Sequence, residues 1–325
     1  MPMIRKFKGN ITAINGAKDS LFIACPSYEE RSVAVVKQLS ANYVADRAVL
    51  FTSVEYCDKG KFPSHLQQIT QALKTVCSAG LTTLKFYIDR PIESMVEFEK
   101  LFFQWHEASR ILNVTVDVST FPRQELIVLL RVLESLPDSP IIRLFYTEPG
   151  EYGTETAGGW LTRGVKSVRT IPGFGGIQQP GKKKLLVMFL GHEDERAAIT
   201  WKRHQPETTI TIFPDPNYRK ELNGIVERTH QLLFTKLASA KIHPPVSARG
   251  IHEAQNAVLE LWEEYRKTHF LVVAPLGTKL QTLGVYRAAK LKSDIQITYA
   301  VPSVYNFNAY SEGVGTMWEI TWKEA

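Results

Sequence analysis

Ser20-Leu21-Phe22-Ile23-Ala24-Cys25-Pro26-Ser27-Tyr28-Glu29-Glu30-Arg31-Ser32 (SLFIACPSYEERS) decides the fold, because Leu185–Ala197 (LLVMFLGHEDERA) repeats its pattern far along the chain. Each stretch is a short apolar run suited to a buried strand, then a turn. An acidic–basic pair then opens a segment with helical spacing. Glu30-Arg31 corresponds to Glu195-Arg196, 165 residues later.

Working outward from the first copy, apolar runs at 47–53, 83–88, 114–118 and 141–147 read as strands. Helical patterns at 29–39, 63–79, 92–109 and 122–136 separate them. Around the second copy, strands are expected at 208–213, 270–274 and 295–300, with a weak one at 242–248 that Pro244 and Pro245 spoil. Helices are expected at 193–204, 218–236, 252–267 and 278–291. Such alternation predicts an α/β protein: two tandem doubly wound, mostly parallel Rossmann-like sheets. The alternating run 316–322 (TMWEITW) predicts a closing edge strand. Residues 173–184 (GFGGIQQPGKKK) read as a linker, dividing a first repeat, 1–172, from a second, 185–325.

Three further correspondences fall in the same order. Ser119-Thr120-Phe121-Pro122-Arg123 matches Pro275-Leu276-Gly277-Thr278-Lys279. Tyr146 to Tyr152 matches Tyr299 to Tyr305, both YxxPxxY. Thr162-Arg163-Gly164-Val165 matches Ser311-Glu312-Gly313-Val314. The offset shrinks steadily along the chain, as expected of an internal duplication.

The composition is that of a globular protein, 44% hydrophobic and 22% charged, with a formal net charge of +6 that favours anionic partners. The three cysteines form no CxxC pair, so neither a zinc site nor a disulfide framework is expected, and no metal or cofactor is indicated. The opening MPMIRKFKGN lacks the apolar stretch of a signal peptide, and no run approaches the roughly 20 apolar residues of a membrane span. A cytoplasmic protein without membrane contact is expected.

All matched motifs lie just past strand carboxyl ends, where open parallel sheets bind ligands. Ser119, Thr120 and Arg123, with Gly277, Thr278 and Lys279, surround helix starts, whose free N–H groups suit phosphate. Helix capping is the structural reading of the same hydroxyls. Arg31 and Arg196 oppose the helix dipole in a first turn, so each binds an anion or pairs with a nearby glutamate. Asp117, a charge in an apolar strand, requires a partner. Tyr299, like Tyr146, is a candidate for base stacking or for packing. Glu30, Glu193 and Glu195 are the candidate catalytic carboxylates should the protein be an enzyme.

Asp117-Val118-Ser119-Thr120-Phe121-Pro122-Arg123 and Ala274-Pro275-Leu276-Gly277-Thr278-Lys279 resemble the CRISPR-associated Rossmann-fold (CARF) domains and the related SAVED domains, which fuse two such units. The resemblance implies a sensor in prokaryotic antiviral defence that binds a nucleotide, or a cyclic oligonucleotide second messenger, and passes its signal to a separate effector protein. Two alternatives stay open. One is a nucleotide-cleaving enzyme of phosphodiesterase or N-glycosidase type that uses the glutamates. The other is a nucleic-acid-binding or assembly subunit with Lys182–Lys184 in a basic patch.

Overall fold

The computed structural model describes residues 2–153, 159–217, 219–222, 224–231 and 240–323. They form two compact units. Unit 1 comprises Met1–Leu161 together with Asn306–Ala325, and unit 2 comprises Thr162–Tyr305.

Unit 1 carries strands β1 (Met3–Lys6), β2 (Asp19–Ala24), β3 (Ala45–Ser53), β4 (Leu81–Phe86), β5 (Asn113–Asp117), β6 (Ile141–Tyr152) and β13 (Ser311–Lys323). Their order in the sheet is β4-β3-β2-β5-β6-β13-β1. The first five are mutually parallel; β13 is antiparallel to both of its neighbours. A 3-10 turn, Glu30–Val33, leads into α1 (Ala34–Lys37), and α2 (Phe62–Val76), α3 (Pro91–Ala108) and α4 (Arg123–Leu133) follow. β2 is buried along almost its whole length and apolar from Leu21 to Ala24, as expected of a parallel strand covered on both faces. α2 buries Phe62, His65, Ile69 and Leu73, a spacing of three to four residues that marks one helical face.

Unit 2 carries β7 (Thr162–Gly175), β8 (Lys183–Phe189), β9 (Thr208–Ile212), β10 (Lys241–Ile242), β11 (His269–Pro275) and β12 (Gln296–Tyr305). The order is β10-β9-β8-β11-β12-β7, parallel except for β7 against β12. Its helices are α5 (Asp194–His204), α6 (Ile225–Thr229), α7 (Ile251–Tyr265) and α8 (Lys279–Leu291). α7 and α8 lie close because Gly284 has no side chain: a Cβ there would stand 2.3 Å from the Ile251 carbonyl oxygen and 2.7 Å from the Ala254 Cβ.

The two sheets therefore share one order, apart from the added β1 of unit 1, and the α/β fold read from the sequence is the fold found. The chain exchanges its antiparallel strands between them. β6 runs on toward β7 yet pairs with β13, whereas β12 runs into β13 yet pairs with β7. The registers coincide at corresponding motif positions: Tyr152 faces Ser311 as Tyr305 faces Thr162, and Pro149 faces Val314 as Pro302 faces Val165.

Several local expectations are corrected. The stretch 173–184 is not wholly a linker, since β7 extends to Gly175 and β8 begins at Lys183; the units part at Thr162 instead, and residues 306–325 return to unit 1. β13 is not an edge strand, because β1 covers its outer side. The helix expected over 218–236 is a 3-10 turn, Lys220–Leu222, and the short α6; residues 218, 223 and 232–236 lie outside the described residues. The weak strand at 242–248 shrinks to β10 and an isolated Val246–Pro214 bridge, as its two prolines require. Among the described residues no helix is long and apolar enough to cross a membrane.

Candidate functional site

Strand order reverses between β2 and β5 in unit 1 and between β8 and β11 in unit 2, and the crevice outside the carboxyl ends at such points is where α/β sheets bind ligands. In each unit the two loops bordering this point touch. In unit 1 the Thr120 hydroxyl donates to the Cys25 carbonyl at 2.5 Å. In unit 2 a Cβ on Gly191 would lie 2.4 Å from the Leu276 carbonyl oxygen, so only glycine permits the approach.

The hydroxyls at these loops hold the backbone. Ser119 is fully buried; its backbone N–H donates to Asp117 Oδ1 at 2.9 Å, and its Oγ accepts the Thr147 N–H at 2.9 Å. Thr278 caps α8 in a reciprocal box with Gln281, and its hydroxyl donates to the Ala248 carbonyl at 2.6 Å. A Cβ on Gly277 would stand 2.3 Å from Gln281 Oε1, which holds the Thr278 N–H, and 3.2 Å from the Leu190 carbonyl oxygen, so a side chain there would displace the capping glutamine. Arg123 is the first residue of α4 and Lys279 the first of α8, both half-buried. Each unit thus sets a cation in the first turn of the helix that follows the second strand of the switch point, where the helix dipole also favours an anion.

The acidic–basic pairs form a second arrangement, nearly the same in both units. Arg31, 4% exposed, binds Glu29 through two hydrogen bonds of 2.9 and 3.0 Å and donates to the Thr147 carbonyl at 3.1 Å. Its guanidinium lies 5.9 Å from the Tyr146 ring centre. Glu29 also accepts from the Ser311 hydroxyl at 2.7 Å. In unit 2, Arg196, 3% exposed, binds Glu193 at 3.0 Å and donates twice to the Ala300 carbonyl, at 3.1 and 2.7 Å. It lies 5.3 Å from the Tyr299 ring centre, and Glu193 accepts from the Thr162 hydroxyl. Glu30 accepts the Gly313 N–H at 3.0 Å, as Glu195 accepts the Gly164 N–H at 2.8 Å. Both glycines adopt positive φ, +68° and +67°.

Together these contacts tie the exchanged strand of each sheet to the turn and helix after its first parallel strand. Burial alone would lower the pKa of either arginine; Glu29 in unit 1, and Tyr299 with Glu193 in unit 2, overturn this and raise it. Glu30 lies below the usual carboxylate range, chiefly through its hydrogen bond from Lys61.

The structure thus brings Arg31 together with Glu29 and Arg196 with Glu193, and it puts Tyr146 and Tyr299 in the core beneath those arginines. The Lys182 ammonium donates to the Arg266 carbonyl and that of Lys184 to the His204 carbonyl, so two of the three consecutive lysines are tied down. A different aromatic group lies near the carboxyl ends of β2 and β3. Tyr28, half-buried, sits edge-on to Tyr56 and Tyr310, with ring centres 6.0 and 6.1 Å away. Three distant segments supply these rings, so no local motif announces them.

No protein-family model and no curated protein sequence matches the chain. Among solved structures, it is similar to a type III CRISPR defence DNA nuclease activated by cyclic oligoadenylate, with a TM-score of 0.53 and 9% identity over 86% of this chain. The chain spans 65% of that nuclease's length, and at this identity the likeness is one of fold. The cytoplasmic domain of a prokaryotic cation chloride cotransporter aligns over 89% of this chain at 10% identity, but its TM-score of 0.26 carries no argument.

Proposed function

We propose that the protein is a nucleotide sensor of prokaryotic antiviral defence, taking a nucleotide or cyclic oligonucleotide at the switch points and signalling to a separate effector protein. The observation that carries this reading is the pair of helix-initial cations, Arg123 and Lys279, at the same place in two similar sheets. Arg123 and Lys279 would meet phosphate. Ser119, Thr120, Gly277 and Thr278 would hold the loops in shape, and Arg31 and Arg196 would fix the strands behind them. The fold likeness to a cyclic-oligoadenylate-activated nuclease supports the same reading. A duplicated ancestral unit with exchanged last strands accounts for the ordered sequence matches and the matching registers.

The enzyme reading has no observation in its favour. Glu193 is occupied by Arg196 and Thr162, and Glu195 by a backbone N–H. Glu30 is shifted away from the near-neutral pKa that a general base needs.

The test is thermal melting against linear and cyclic nucleotides, including cyclic oligoadenylates, with chromatography of the same samples. A ligand at a hundred times its Kd adds about 2.7 kcal/mol, and so raises Tm by roughly 5–10 °C in a unit of this size. Arg123→Ala and Lys279→Ala should remove the shift while the ligand stays intact. A panel without any shift refutes the reading, and consumption of the ligand makes the protein an enzyme.

A further inference from the structure

Away from the switch points, unit 1 carries an open groove of about 860 Å³. Lys6 and Lys8 line it from β1 and the segment after it, Lys37 from the end of α1, and Lys61 from the residue before α2, with Glu30 and His65 in the wall. Val33, Ala34 and Met317 make part of its lining apolar. Glu30 is already held by Lys61 and the Gly313 N–H. The side chains of Lys6, Lys8 and Lys37 are exposed and have no hydrogen-bond or ion-pair partner among the described residues, so three positive charges face one concavity uncompensated. His65 is 6% exposed, and its Nδ1 donates to the Ser27 carbonyl at 2.8 Å.

Two elements that shape this groove differ from those of unit 2 among the described residues. β1, which supplies Lys6, has no counterpart in the sheet of unit 2. The first helical segment of unit 1 is a 3-10 turn and a single α-turn, whereas α5 in unit 2 runs eleven residues.

We propose that this groove binds a phosphate chain, whether the polyphosphate of a free nucleotide or the backbone of a single-stranded nucleic acid. Lysines act as compact point charges and need no planar partner, which suits phosphate oxygens presented at varied angles. A phosphate chain puts consecutive charges on one narrow path. An extended acidic peptide turns alternate side chains to opposite faces, so its carboxylates on one side stand about 6.6–6.8 Å apart, and only half of them meet the lysines. The site is independent of Arg123 and Lys279.

The experiment is titration calorimetry with tripolyphosphate, ATP and a twelve-residue oligothymidylate at several salt concentrations. The wild type is compared with the Lys6→Gln, Lys8→Gln, Lys37→Gln triple variant. The probe that binds should lose at least tenfold in affinity in the triple variant when both proteins compared also carry Arg123→Ala and Lys279→Ala, which remove the switch-point sites. Binding of tripolyphosphate and ATP identifies a free nucleotide; binding of the oligonucleotide alone identifies nucleic acid, with the slope of log K against log salt falling by roughly 2 in the variant for three phosphates released. Lys37→Glu alone replaces the triple variant should the latter melt early. The proposal is overturned if no phosphate probe binds, if the variants bind as the wild type does, or if polyglutamate displaces the probe at equal charge. The last result would identify an acidic protein partner instead.

Discussion

Replacing Arg31 by methionine keeps the bulk of the side chain and removes its charge. The consequence follows from where the guanidinium sits. It makes two hydrogen bonds to Glu29 and one to the Thr147 carbonyl, with about 95% of both side chains out of water. Losing one partner of a buried ion pair leaves the other charge uncompensated and costs about 3–5 kcal/mol. Here Glu29 would keep the Ser311 hydroxyl, which puts the expected loss near the lower end of that range. In a unit of this size each kcal/mol moves Tm by roughly 2–4 °C, so a fall of about 6–12 °C is expected. Calorimetry at several scan rates, paired with denaturant unfolding, measures it. The Glu29→Gln, Arg31→Met double variant should recover most of the loss, because removing both charges also removes their desolvation cost. A single variant within about 1 kcal/mol of wild type, or a double variant as unstable as the single, would refute the account of Arg31 as a structural tie. It would return the residue to the ligand-binding set.

Three other outcomes are expected. Gly284→Ala should destabilise unit 2 by about 1–3 kcal/mol despite alanine's better helix propensity, because the new Cβ meets the backbone of α7; a raised denaturant midpoint would contradict this. Burial lowers the pKa of His204 (to about 4), His230 and His269, all in unit 2. Below pH ~6.5 the unfolded chain takes up protons that the folded unit refuses, so stability present above that pH is lost as pH falls toward 4. The loss is up to about 1.4 kcal/mol per pH unit for each fully buried ring, and less for half-buried His204. His204→Gln should flatten the slope of Tm against pH, and an unchanged slope counts against the assignment. Deleting residues 306–325 removes β13 from between β1 and β6, so hydrogen exchange should show unit 1 losing its protection while unit 2 keeps its own.

The parallel strands are legible in the sequence because both of their faces are buried, so β2, β8 and β11 each carry an unbroken apolar run, while β5 interleaves its two valines with the buried Asn113, Thr115 and Asp117. β1 and β7 are not. β1 has only two apolar residues in four, and β7 mixes glycine, proline and charge along a half-exposed face. The repeat motifs were visible, but their meaning depends on pairing across distant segments. Glu30 and Gly313, or Thr162 and Glu193, can be read as partners only once the exchanged strands are seen. Ser119 and Thr278 each hold backbone groups in the structure, a role the sequence leaves open because a hydroxyl before a helix serves a backbone N–H or an anion equally well. Tyr299 is likewise buried beneath Arg196, a placement that depends on a residue more than a hundred positions away and so is not written in its local sequence.

The exchanged strands also set the order in which the protein can be finished as it leaves the ribosome. Arg5 meets Glu319 across 314 residues, and β6 waits for β13 across most of the second half of the chain. At about 5–20 residues per second, some 15–60 s separate synthesis of β1 from synthesis of β13, with which it pairs. Unit 2 has all its strands once Tyr305 has emerged, so the half that is made first is completed last. During that interval the outer edge of β6 is an open template, and a neighbouring nascent chain on the same message carries a strand able to fill it.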